Sequence, residues 1–321
     1  METRLGTSAI RLCLTSQLPG TQEFSFVNSI YSKVPFCLKF DIMAGETFKY
    51  QFFNVSFPEE HVAHVEINRQ DKLNAFIEEM WLSMGKIFNR LSHDPNVRVI
   101  VLTGAGEKAY TAGLDVQAAS EGMLSDSGDD PARKANNNRR YILEFQDCVS
   151  AIEKCEKPVI TVLHGYAFGL AIDMSLCCDI RLCAATTQFC VKEVDIGVAA
   201  DIGTLSRLPK AVASASWVKD VSLTARVFDA AEALRVGFVS SVHHDKQAAV
   251  KAALTLATKI ASKSPVAVLG TKELINYSRD HSVADGLNYT AAWNSAMIQT
   301  NDVKGAFLSG LQKRKPTFEK L

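Results

Sequence analysis

The chain has 321 residues, 47% hydrophobic and 22% charged, enough to bury a sizeable core as one large domain or two small ones. Its 35 basic and 35 acidic side chains cancel. Zero formal charge excludes a global field that would draw in nucleic acid or an anionic membrane, so an anionic ligand has to be met by a local site.

In chain order, residues 1–42 differ in character from the rest of the chain. "METRLGTSAIRLCLTSQLPG" sets Arg4 and Arg11 among hydroxyl residues against a single acid, Glu2, a composition weakly like an organellar presequence. The competing expectation is a disordered extension outside the fold, with Met43 as an alternative start. No uninterrupted apolar segment of about 18 residues occurs, so no membrane span is expected. From about residue 50, "HVAHVEI" alternates as a strand does; Ala75–Leu91 puts Ile77, Met80, Met84, Ile87, Phe88 and Leu91 on one helical face; "NVRVIVLTG" reads as a buried strand closed by glycine. The order then repeats. A polar helix over 135–154 leads into the strand "KPVITVLHG", which turns at Gly165 and Gly169 into a short helix, followed by the strand "DIRLCAA". Such alternation predicts an α/β fold with a largely parallel, buried sheet. Beyond about residue 205 strand signals fade: "TARVFDAAEALRVGFVSSV" and the segments after it read mainly as amphipathic helices. The expected organisation is an extension over 1–42, a core over 43–250 and a helical region over 251–321.

Eight cysteines form no CxxC pair and mostly lie in apolar runs, which points to free buried thiols in a reducing compartment. His61 and His64 make an HxxH without a HExxH or CxxC partner, and are expected to be surface or satisfied residues; no metal is expected. "GAGEKAYTAG" is neither GxGxxG nor a P-loop, and no GxSxG occurs. Two glycine-bearing turns remain, "TAGLDV" (Thr111–Val116) and "AFGLAID". Each is able to aim a backbone N–H at a common point, as an oxyanion hole requires; on spacing alone, ordinary strand-end turns are favoured. Fifteen uncharged residues, Pro158–Ile172, then run into Asp173, a carboxylate where apolar character would be expected to continue.

"INRQDKLNAF", "KAYTAGLDV", "KPVITVLHGYAFGLAIDMSLCCDIRLCA" and "AAEALRVGFVSSV" stand in an order and spacing that resembles the crotonase (enoyl-CoA hydratase/isomerase) superfamily over about residues 55–315. "FCVKEVDIGVAADIGTLSRLPK" and "SKSPVAVLGTKELINYSRDHSVADGLNYTAAWNSAMIQT" most resemble its Δ3,5-Δ2,4-dienoyl-CoA isomerases. The resemblance implies a crotonase-like spiral of ββα units, a C-terminal helical trimerisation region over 251–321, homotrimers or homohexamers, an acyl-CoA thioester as ligand, and no cofactor, CoA being part of the substrate. It places the oxyanion donors on the N–H groups of Leu114 and Leu170, with Ala112, Gly113, Leu114, Asp115, Val116 and Leu170 around the substrate. The usual glycine triplet of the second turn is here Gly169-Leu170-Ala171, which bears on acyl-chain preference because a side chain restricts φ and crowds the acyl group.

The resemblance also brings Asp173, Glu193 and Asp201 to the pocket. Moving a 3,5-diene into conjugation with the thioester takes one proton off C2 and puts another on C6. Glu193 is the expected base at C2, Asp201 the expected acid at C6, its proton retained by an apolar pocket, and Asp173 would tune or orient the pair. Without the resemblance, Asp173 reads as a helix residue paired with an arginine and Asp201 as a cap for the helix beginning near Thr204. The carboxylates of Asp115 and Asp195 read as structural, and Lys272 as surface solvation rather than a CoA-phosphate contact. Three functions are open: the isomerase, an enoyl-CoA hydratase using Asp173 and Glu193 on water, and a non-catalytic scaffold suggested by the altered glycine turn. The final "FEKL" differs from an SKL-type address by a glutamate, so the expected compartment is the peroxisome, with the mitochondrion as alternative.

Overall fold

A computed structural model describes residues 48–123 and 130–321. The expectations for residues 1–42, Met43, Cys13 and Cys37 lie outside them. The first strands among the described residues are an antiparallel pair, β1 (Phe53–Glu59) and β2 (Val62–Ile67), followed by α1 (Glu78–His93). Then one step recurs: a strand of a large sheet, a turn into a short strand of a second sheet, and a helical segment. β3 (Val99–Gly104) leads to β4 (Ala109–Thr111), α2 (Val116–Met123) and α3 (Pro131–Lys154). β5 (Val159–Leu163) leads to β6 (Tyr166–Phe168) and α4 (Leu170–Cys177). β7 (Ile180–Ala184) leads to β8 (Gln188–Cys190), a short 3-10 turn and α5 (Thr204–Ala211). After these come α6 (Ala215–Thr224), β9 (Phe228–Asp229), α7 (Ala230–Arg235), β10 (Ser241–His243), α8 (Lys246–Ala261), α9 (Pro265–Ser278), α10 (Val283–Met297) and α11 (Asn301–Leu311). The large sheet has the order β1-β2-β3-β5-β7-β10, parallel except for its first pair; the small one has the order β4-β6-β8-β9. This is an α/β spiral of ββα units.

Both faces of the large sheet are covered, which is why its central strands read as continuous apolar runs. Along β5, Val159 and Leu163 join the main core with α1 and α4, while Ile160 and Val162 face α8. The α8 contact is made by Ala249, Ala253, Ala257 and Ala261, one face at a spacing of four, and their small side chains let the helix lie close on Val99, Val101 and Leu182. Each fully buried Val, Ile or Leu contributes roughly 1.5–3 kcal/mol here. A division at 250/251 would therefore cut α8, whose alanine face belongs to the core. Residues 48–321 form a single compact unit.

Two expected elements differ. The helix predicted from Ala75 begins at Glu78, because Leu73 and Asn74 are left-handed (φ 52° and 55°) and Asn74 is held by Nδ2 bonds to the carbonyls of Ala105 and Ala109, both 2.9 Å. "TARVFDAAEALRVGFVSSV" is only partly helical. Ala225 turns left-handed, Phe228 pairs with Phe189 of β8 inside an aromatic cluster with Trp217 and Phe238, and the chain past Gly237 joins β7 as β10. Burial of the aromatic rings outweighs the helical propensity of that stretch.

Candidate active site

β4 and β6 are parallel neighbours, so the turns that leave them lie side by side. The first turn is braced from within: Thr111 Oγ1 donates to Asn74 O at 2.7 Å and accepts Gly113 N–H at 3.1 Å. Phe76 pairs with Leu114 through Phe76 N–H to Gly113 O (2.8 Å) and Asp115 N–H to Phe76 O (2.9 Å). In that pairing the N–H of Leu114 itself points away from Phe76. The second turn is closed by Gly169, at φ 53°, whose N–H donates to Cys190 O at 2.9 Å. Leu170 is the next residue and the first of α4, where a helical N–H has no partner within its own helix. Gly113, at φ 100°, separates the turns by so little that a methyl there would sit 3.7 Å from Leu170 N and 3.1 Å from Phe168 O. The two unspent donors are thus adjacent, and able to hold one carbonyl oxygen as it gains charge. The side chains that follow Gly169, Leu170 (3% exposed) and Ala171 (0%), belong to the main core.

α4 is buried along its whole length, Asp173 included at 2% exposure. Asp173 Oδ1 accepts the main-chain N–H and the hydroxyl of Thr204, each at 2.7 Å. Burial raises this carboxyl to about 6, against the lowering effect of the Thr204 bonds and the Arg207 charge, while nearby Asp201 raises it further. Arg207 bonds Glu153 Oε2 (2.9 Å) and Ser150 Oγ (3.0 Å), and Glu153 also pairs with Arg279. Arg207 thus acts on Asp173 only through its field; the arginine-paired alternative does not hold. Nor does Asp201 cap α5: the N-cap position is Gly203, and the oxygen meeting the first N–H comes from Asp173 on α4.

Glu193 opens the 3-10 turn Glu193–Ile196, next to the second glycine turn. Its Oε1 would lie 3.3 Å from a methyl placed on Gly169, and its Oε2 is buried with no hydrogen-bond partner among the described residues. Burial, then the charges of Asp173 and Asp201, push Glu193 up to about 7. That is the range a general base working near neutrality needs. Asp201 is exposed rather than enclosed in the expected apolar pocket, although partial desolvation still raises its carboxyl. Its carbonyl accepts Gln146 Nε2–H from α3 at 2.5 Å.

The other charged candidates have partners within the fold. Asp115 pairs with Arg69 at 2.8 Å and accepts Ala118 N–H at the start of α2, and Asp195 pairs with Lys192. Lys272 is not a surface residue: it is 9% exposed and bonds Asp179 Oδ2 at 2.8 Å and Lys157 O at 3.1 Å. His61 bonds Asn96 O and His64 bonds Thr103 Oγ1. Among the described residues six cysteines are free, and no group of three His, Cys, Asp or Glu side chains is arranged to hold a metal. Ala112 and Val116 flank the Gly113–Asp115 turn, Val116 with an exposed side chain. Two contributors carry no sequence signal, Gln146 on a polar helix and the hydroxyl of Thr204; only the approach of α3 and α4 to the Asp201 segment reveals them.

A family model described as enoyl-CoA hydratase/isomerase matches residues 58–320. The chain belongs to the enoyl-CoA hydratase/isomerase family. It is 45% identical over 275 residues to the mitochondrial Δ(3,5)-Δ(2,4)-dienoyl-CoA isomerase of Pongo abelii, covering 85% of this chain and 84% of that protein. It is 41% identical over 261 residues to the peroxisomal Δ(3,5)-Δ(2,4)-dienoyl-CoA isomerase of Arabidopsis thaliana, covering 81% and 93%. The crystal structure of an enoyl-CoA hydratase from Bacillus anthracis superposes with a TM-score of 0.76 at 26% identity, covering 84% of this chain and 99% of that one. The ββα spiral is therefore the crotonase fold, and the protein is an enzyme of that family.

Proposed function

We propose that this enzyme converts a 3,5-dienoyl-CoA to the conjugated 2,4-dienoyl-CoA. The observation that carries the proposal is the half-buried Glu193 carboxyl, its Oε2 without a hydrogen-bond partner among the described residues, beside two adjacent N–H donors, with a second acid, Asp201, near enough to raise its pKa. Leu114 N–H and Leu170 N–H polarise the thioester carbonyl. Glu193 takes a proton from C2, and the electrons of that bond pass into an enolate conjugated with the diene. Asp201 gives its proton to C6, the carbonyl re-forms, and the double bonds come to rest at C2–C3 and C4–C5. One proton enters the protein and one leaves it, so the step needs neither an oxidant nor a cofactor. Asp201, being exposed, resets with solvent. The names of the relatives in Pongo abelii and Arabidopsis thaliana agree with this chemistry.

A hydratase would require Asp173 and Glu193 to activate water together. Asp173 Oδ1 is already committed to Thr204, which weighs against it. A scaffold without activity would be favoured had the leucine and alanine of the second turn blocked the donor, yet both side chains pack into the core. An absorbance assay for the conjugated diene, run beside a 2-enoyl-CoA hydration assay, separates the three: diene formation with little hydration is expected, and hydration alone would overturn the proposal.

The substrate-binding segment proposed is Ala112–Val116 with Leu170. Helices α9–α11 are proposed as the surface through which copies associate, as a homotrimer or homohexamer: Ile275 is 65% exposed, Val283 81%, Leu287 65%, Phe307 72% and Leu311 82%, an apolar surface costly to leave in water. Light scattering tests this. The proposed compartment is the peroxisome, as in the name of the Arabidopsis relative, with the mitochondrion of the Pongo relative as the alternative. Imaging of the protein with a free C terminus decides between them. No helix among the described residues is long and apolar enough to cross a membrane.

A further inference from the structure

The segment that presents Asp201 is tied down at both ends by side chains from other helices. At its front, Gln146 of α3 donates Nε2–H to the main-chain carbonyl of Asp201 at 2.5 Å. At its back, Thr204 gives both N–H and hydroxyl to Asp173 Oδ1 of α4, at 2.7 Å each. Only Ile202 and Gly203 lie between. Ile202 is sunk into the main core at 8% exposure, as is Ala200 on the other side of Asp201. The Asp201 side chain, by contrast, stands exposed and forms no ion pair among the described residues. Its direction is therefore set by the backbone that carries it, and that backbone is held by Gln146 and Thr204.

We infer that Gln146 and Thr204 are positioning residues for the distal proton transfer, fixing the carboxyl of Asp201 relative to C6 of the bound chain. The inference rests on the proposed role of Asp201 as the C6 acid. A proton donor must lie within hydrogen-bond reach of the atom it protonates, and a displacement of about 1 Å can cost on the order of 10²-fold in rate. Proton removal at C2 uses Glu193 and the two N–H donors, none of which Gln146 touches, so only the second half of the reaction should respond.

The test compares net isomerisation of a 3,5-dienoyl-CoA with exchange of its C2 proton in deuterated water, for the full-length enzyme and its variants. Gln146→Ala is expected to lower isomerisation about 10- to 100-fold while C2 exchange stays within about twofold of the wild type. Gln146 is half-buried on a polar helix, so its loss should leave the fold intact. Thr204→Val keeps the main-chain bond but removes the hydroxyl, and should lower isomerisation by more than C2 exchange, which responds only as the field of Asp173 on Glu193 changes; Thr204→Ser restores the hydroxyl and should recover both. Wild-type isomerisation by Gln146→Ala, or parallel loss of exchange and isomerisation in both Gln146→Ala and Thr204→Val, would overturn the inference. Asp201→Asn is measured alongside. If that variant isomerises normally, the distal-acid role itself fails; if it is inactive while Gln146→Ala is normal, only the positioning role fails.

Discussion

Gly169 lies directly against Glu193: a Cβ on the glycine would come within 3.3 Å of Glu193 Oε1, at a residue whose φ of 53° and ψ of −114° suit no L side chain. The turn that aims Leu170 N–H and the carboxyl proposed as the base therefore share one space, and a methyl between them would make the carboxyl give way by a few tenths of an ångström. Gly169→Ala should strain the turn by about 1–3 kcal/mol and displace both groups. Turnover of a 3,5-dienoyl-CoA should fall about 10²-fold, with the circular dichroism spectrum unchanged. Wild-type turnover would place the base or the oxyanion donor elsewhere.

The two carboxyl groups should separate by half-reaction. Glu193→Gln removes the base and should abolish both C2 proton exchange and isomerisation. Asp201→Asn should keep acyl-CoA binding and C2 exchange but lose net isomerisation by about two to four decades, on the order of 3–5 kcal/mol in barrier. Proton exchange followed by NMR, beside the diene absorbance assay, reads both.

Glu193 should also reveal itself in stability. Its carboxyl ordinarily titrates near 4.5 and is pushed up to about 7 in the folded protein, first by burial. An acid with a raised folded-state pKa favours the fold while protonated, and that advantage is lost as pH rises from about 4.5 through about 7. Glu193→Gln cannot ionise. Relative to the wild type it should gain nothing near pH 4.5 and gain progressively towards pH 7, levelling above that at on the order of 1–3 kcal/mol. Thermal melts across this range check it; an offset that does not change with pH would contradict the assigned shift.

Lys272 and Asp179 test the core beneath α9. Burial raises Asp179, and the Lys272 ammonium at 2.8 Å is the opposing charge that keeps it ionised. Lys272→Met removes the ammonium from a carboxylate that is partly open to solvent and still accepts Val159 N–H, and should cost about 1 kcal/mol, read as a fall in thermal midpoint. Adding Asp179→Asn should recover part of the loss.

Much of the spiral was legible because buried parallel strands announce themselves. "NVRVIVLTG" and "KPVITVLHG" have apolar side chains on both faces, and in the fold those faces meet α1 and α4 on one side and α8 on the other. The expected division at 250/251 falls inside α8 for a local reason: "DKQAAVKAALTLATKIASK" has the periodicity of any amphipathic helix, and nothing in its spacing says whether the alanine face meets a sheet or a neighbouring helix. In "TARVFDAAEALRVGFVSSV" the residues favour helix, but the pairing of Phe228 with Phe189, thirty-nine positions away, is a contact that local propensity cannot register.

By itself the sequence singled out features of the proposed site, two glycine turns after successive strands and a carboxylate after fifteen uncharged residues, while Glu193 and Asp201 came only with the family resemblance. It did so because a charge in an apolar run and a glycine at a strand end are each costly or constrained where they stand. The state of those carboxyls was decided only by tertiary structure. Asp173 is raised to about 6 and bonded to Thr204, Glu193 is raised to about 7 with one oxygen unpartnered, and Asp201 stands exposed on a segment that Gln146 and Thr204 hold. Desolvation and the field of neighbouring charges depend on which elements close over a group, and those elements come from positions 146, 173, 193, 201 and 204, which only the fold brings together.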